Sequence, residues 1–200
     1  MSIVKLNNNG VKNATAFGSI TGLGNLIFIS RSTASSSSSV SITSGINSTY
    51  KEYIFILTNL HPASDNQHFY VNFRDGGSDF DATKTTTFFL DYHTESGSDA
   101  AIGYQTSFDL EQSTGYQPIG LSVSNGNDSG LSGYLHLFDP SNTTFAKNFI
   151  CQAQNFTPSA YFDNMHISGY CNTTAAIDGI DFKFASGNID SGTVDMYGVL

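Results

Sequence analysis

Residues 50–58, YKEYIFILT, carry five consecutive aliphatic or aromatic side chains, Tyr53, Ile54, Phe55, Ile56 and Leu57. A run this short, bounded by polar residues and rich in aromatic and β-branched types, fits a pleated strand better than a helix. With no polar face through its middle, the strand is expected at the centre of a sheet, covered above and below. It is also the longest such run in the chain, far short of what a bilayer span needs.

Outward from this segment, period-2 alternation recurs. In residues 68–74, Phe69, Val71 and Phe73 share one face and His68, Tyr70 and Asn72 the other. Residues 85–92, 131–138, 144–153, 161–170, 180–185 and 193–199 behave alike, with weaker candidates at 102–110 and 120–124. Toward the N-terminus, residues 25–30 form a strand candidate, and the serines 35–39 read as a polar loop opening a strand at Val40. Asp139-Pro140-Ser141-Asn142 is a strong turn signal, and residues 125–130 read as a hairpin turn. Only residues 173–177, TTAAI, could form a helical turn. Ten to twelve short strands without an amphipathic helix predict an all-β fold, an antiparallel, jelly-roll-like β-sandwich. One domain over residues 1–200 is expected, with residues 1–20 as an extended arm. Its core should contain Ile54, Phe55, Ile56, Phe69, Val71, Phe73, Leu135, Leu137, Phe182 and Phe184.

Composition narrows the function classes. Charged residues make up only 12% of 200, the net charge is −9, and 16 Phe and 10 Tyr accompany no Trp. Disordered chains are charged and poor in aromatics, so disorder is excluded. Eight scattered Lys and Arg argue against nucleic acid and against an anionic membrane surface. Residues 1–10 lack the apolar stretch of a secretory signal, which points to synthesis in a cytosol. There Cys151 and Cys171 are expected as buried thiols. The six Asn-x-Ser/Thr sequons (at Asn13, Asn47, Asn127, Asn142, Asn155 and Asn172) are about what this Asn, Ser and Thr content produces by chance.

Chemistry-bearing motifs are sparse. Asp75, Asp79 and Asp81 crowd one Gly-rich loop and are weak candidates for a calcium site, although their spacing matches no familiar calcium loop. The expectation is no metal and no cofactor. His61, His68, His93, His136 and His166 show no compact metal spacing, and no GxSxG elbow is present. Glu52, Glu95 and Glu111 lie in unrelated surroundings. Asp91, Asp109 and Asp195 fall on strand candidates with nothing to pair them, so a glycoside-cleaving carboxylate pair is not apparent. No catalytic residue is assigned. Aromatics on both strand parities call for a second burial partner: a loop, the other sheet or a neighbouring subunit.

Residues 38–55 (SSVSITSGINSTYKEYIF), 60–71 (LHPASDNQHFYV) and 177–199 (IDGIDFKFASGNIDSGTVDMYGV) resemble a family of small, largely uncharacterised virion structural proteins of marine tailed bacteriophages. The closing Ser-Gly-Asn-Ile, Ser-Gly-Thr and Tyr-Gly motifs are its most distinctive part. The resemblance implies a non-enzymatic structural protein of the virion, assembled in the host cytoplasm, and carries no catalytic motif. A capsid decoration protein is the first expectation, and a tail-fibre or receptor-binding module for host surface glycans the alternative. A glycan-cleaving β-sandwich enzyme is a disfavoured third. Expected partners are other virion proteins and further copies of the chain, with trimers favoured.

Overall fold

The computed structural model describes residues 26–200, so the arm expected at residues 1–20 lies outside them. Every regular element described is a strand: β1 (Leu26–Ser37), β2 (Val40–Ile42), β3 (Glu52–Pro62), β4 (Gln67–Arg74), β5 (Lys84–Thr94), β6 (Ala100–Tyr104), β7 (Gln117–Val123), β8 (Leu131–Phe138), β9 (Lys147–Phe156), β10 (Tyr161–Cys171), β11 (Gly179–Phe184) and β12 (Ile189–Val199). The fold is an all-β sandwich. An eight-stranded sheet in the order β1-β12-β3-β8-β9-β10-β5-β6 faces a four-stranded sheet in the order β2-β11-β4-β7, and all neighbours pair antiparallel.

The chain passes from one sheet to the other at β1–β2, β2–β3, β3–β4, β4–β5, β6–β7, β7–β8, β10–β11 and β11–β12. The connections β5–β6, β8–β9 and β9–β10 instead stay within the larger sheet, where the pairs β9–β10 and β5–β6 extend it beyond β8. At the edge where β7 approaches the larger sheet, residue 120 must be glycine, because a Cβ there would collide with Leu131 and Phe69.

The core lies between the sheets. Phe55, Phe69, Val71, Phe73, Leu135, Leu137, Phe182 and Phe184 are buried as expected, and Phe182 sits between Phe69 (6.2 Å) and Phe55 (6.3 Å). Ile54 and Ile56 correct the expectation. β3 does lie inside its sheet, but only Tyr53, Phe55 and Leu57 point inward, and both isoleucines are half-buried on the outer face. Strand period is 2, so a continuous apolar run must present alternate residues to each side whether or not a second layer exists.

Other expectations need revision. Ser35–Ser37 belong to β1 rather than to a loop. Residues 173–177 form no helical turn. Residues 125–130 join strands of different sheets and make no hairpin, whereas 139–142 do connect the antiparallel pair β8–β9. The C-terminal strand β12 is flanked by β1 and β3, so it is not an open edge.

Candidate binding cleft

Reading inward-facing positions along β10 gives Asp163, Met165, Ile167 and Cys171, so an aspartate occupies an apolar parity. Its neighbours across the strands are Asn155 on β9 and Tyr92 on β5. Asp163 is only 7% exposed, and its carboxylate makes no hydrogen bond to any described residue. Desolvation pushes its pKa up to about 6, as burial does for any carboxyl without a compensating donor.

Asp163 opens onto a cavity of about 500 Å³ at one end of the sandwich, where β5 and β10 run past β4 and β7. That volume is in the range of small-molecule sites. Leu90, Leu121, Phe108 and Pro158 supply apolar wall; Tyr92, Tyr161, His68, Asp65, Asn66, Ser122 and Ser159 supply a polar rim. The tyrosine rings meet edge to face at 5.4 Å, and each hydroxyl lies 3.4 Å from Asp99 Oδ2. Phe108 packs edge to face on His68 at 5.6 Å and against Phe88. The Ser122 amide donates to His68 Nδ1 at 3.0 Å, which leaves the ring proton on Nε2. Burial lowers the His68 pKa, so the imidazole is neutral at pH 7. Among the described residues no Lys or Arg lines this cleft.

The opposite end of the same strands is built otherwise. Cys171 pairs in register with Lys84 and Lys147, and all three side chains are buried. Lys84 Nζ donates to the carbonyls of Ala82 (2.9 Å) and Gly115 (2.7 Å), and Lys147 Nζ to that of Thr173 (3.0 Å). Desolvation lowers the Lys84 pKa to about 8, and burial pushes the Cys171 thiol up to about 12.

Asp75, Asp79 and Asp81 do not converge. Among the described residues no group of three or more His, Cys, Asp or Glu side chains could hold a metal ion. Asp195 is not unpaired, because Arg31 grips both its oxygens at 2.6 Å. Asp91 accepts from Asn164 at 2.9 Å and lies 3.1 Å from His166 Nε2, with no described serine hydroxyl hydrogen-bonded to either. Asp109 falls in the loop after β6 and accepts from Tyr104. Both cysteines are free and buried. The sequon asparagine Asn155 is buried and donates to Leu121 O.

Sequence reasoning missed Asp163, Lys84 and Lys147. The signal was present, since each shares parity with buried apolar residues of its own strand: Met165 and Ile167, Phe88, Phe149 and Cys151. No family model matches the chain, and no curated protein matches it.

Proposed function

We propose that the protein is a non-enzymatic structural component of a bacteriophage virion, a capsid decoration protein that works by contact with its own copies and with other particle proteins. The observation that carries this reading is the outer face of the eight-stranded sheet, which no described segment covers. Nine of the eleven exposed large hydrophobic side chains among the described residues stand there: Leu26, Phe28, Phe89, Ile102, Tyr104, Tyr134, Ile150, Phe156 and Phe162. They come from six strands, and Ile102 on the edge strand β6 is 76% exposed. Exposed apolar side chains gathered on one face of a sheet suit an interaction surface. By contrast, the corresponding face of the smaller sheet is covered by its own loops. Asn72, which points outward from β4, is fully buried and donates to the carbonyl of Thr114.

The wiring supports the same reading. Without the two inserted pairs, β1-β12-β3-β8 against β2-β11-β4-β7 has the double Greek-key order of a jelly roll, an architecture shared by capsid and lectin domains. Fold alone fixes no function, so the outer face and the three resembling segments carry more weight.

Purified protein should form homo-oligomers, trimers by preference, that survive high salt because few charges are available to hold them. Each contact should bury upward of about 1,000 Å². Ile150→Asp and Phe28→Asp should dissociate them without unfolding the sandwich. A cryo-EM map of the particle locates the chain: a high copy number on the head agrees with decoration, and a few copies at the tail select the receptor-binding alternative. A protein that stays monomeric at high concentration and is absent from particles overturns both.

A further inference from the structure

The cleft at Asp163 is not explained by assembly through the outer face, because it opens between the sheets. Its chemistry excludes most ligand classes. An anion would meet Asp163 and Asp65 with no Lys or Arg among the described lining residues to offset them. A cation would satisfy the carboxylates but, having no acceptor, would leave the His68 Nε2 proton and the Asn66 amide unmatched. A purely apolar molecule would bury Asp163 without any donor, the costliest outcome for a carboxylate.

One class meets every requirement. A neutral sugar carries hydroxyls that both donate and accept, and its ring has an apolar C–H face suited to tyrosine. We propose that the cleft is a saccharide-binding site in which Asp163 accepts from sugar hydroxyls, His68 Nε2 donates to one, and Tyr92 and Tyr161 hold the apolar ring face. The site joins two parts of the fold. Asp163 and both tyrosines stand on the inserted strands β5 and β10, whereas His68 stands on β4 of the smaller sheet. The insertions that lengthen the larger sheet thus also create the cleft. Hydroxyl donation is strongest to the ionised carboxylate, so affinity should fall as the pH drops below about 6. This inference goes beyond the assembly role and does not depend on it.

Calorimetric titration of the full chain with the methyl glycosides of glucose, galactose, mannose and N-acetylglucosamine tests it, with glucuronate and putrescine as anionic and cationic probes. The expected result is saturable binding of at least one neutral glycoside, with Kd of about 1 mM or tighter. Glucuronate and putrescine should bind at least about tenfold more weakly. Asp163→Ala and Tyr161→Ala should each weaken sugar binding about tenfold or more while the melting curve stays cooperative. Asp163→Asn preserves the shape of the site and should reduce the pH dependence to the part that protonation of His68 contributes. Failure of all four glycosides to bind, tighter binding of putrescine than of any sugar, or full binding by Asp163→Ala would each overturn the proposal. A protein that binds sugar but never oligomerises or enters particles would leave this site standing and remove the assembly role.

Discussion

The two ends of β5, β9 and β10 bury charge in opposite ways. At one end Lys84 and Lys147 are sealed in, with ammonium protons donated to backbone carbonyls that would otherwise lack partners. At the other, Asp163 is nearly as buried but has no donor, and it faces open space. Both charges incur a desolvation cost, visible in pKa values displaced in the directions that favour the neutral forms. Only the lysine end recovers part of that cost within the protein. A satisfied buried charge is architecture; an unsatisfied one beside a cavity marks a place where something else supplies the missing hydrogen bonds.

The largest effect is expected in the core between the sheets, away from both buried charges. Phe182→Ala removes the ring between Phe55 and Phe69 and should cost about 3–5 kcal/mol, read by denaturant unfolding. It serves as the reference for a change that favours neither end. Lys84→Ala should follow at about 3 kcal/mol, since it leaves a cavity and orphans the carbonyls of Ala82 and Gly115. A loss under about 0.5 kcal/mol, the scale of an ordinary surface change, would mean that the lysine end is not sealed.

Asp163→Asn should act with the opposite sign. The native carboxyl holds its proton up to about pH 6, above the ordinary 3.8, so the native state binds more protons than the unfolded chain in that window. Stability is therefore lost as pH rises from about 3.8 to 6. The variant should match the parent below that window and exceed it above by about 1 kcal/mol, because solvent in the cleft screens much of the penalty. That is roughly 2–4 °C in Tm. Equal melting at pH 7.5 would show that Asp163 is already satisfied. Lys84 gives the converse. The unfolded chain binds more protons between about pH 8 and 10.5, so stability should rise across that interval in the parent and not in Lys84→Met.

The smallest effect concerns Cys171, between the two lysines. Nearby ammonium groups favour a thiolate, yet burial outweighs them. Alkylation of the native protein at pH 8 should proceed no faster than unfolding, and thiol titration in denaturant without reductant should find two groups. Fast modification of the native state would show that the lysine end opens, and the contrast between the ends would fail.

Most of the fold was legible because strand formation leaves a local trace. Phe69, Val71 and Phe73 announce an inward face by period alone, as do Leu135 and Leu137. Ile54 and Ile56 show the limit of that trace. An apolar residue of either parity reads as core, although whether a second layer covers it depends on where distant loops and copies lie. The loop beyond Phe108 covers the small sheet near Asn72, and no described segment covers the large one beside Tyr134. Of the cleft, only the odd parity of Asp163 was visible in advance.

The sequence by itself determined that the regular elements of the described residues are strands, which side of most strands faces inward, that basic residues are few and scattered and that cysteines are few. These are consequences of residue type and a two-residue period, both local. The tertiary structure alone decided that twelve strands divide eight and four. It also decided that β12 lies inside its sheet and that Asp163, His68 and Tyr92 from three strands share one cleft. Asp163 is 95 positions from His68 in the chain, and nothing local relates residues so far apart. Their meeting follows from strand pairing and sheet packing, which the whole molecule selects by burying its apolar faces together.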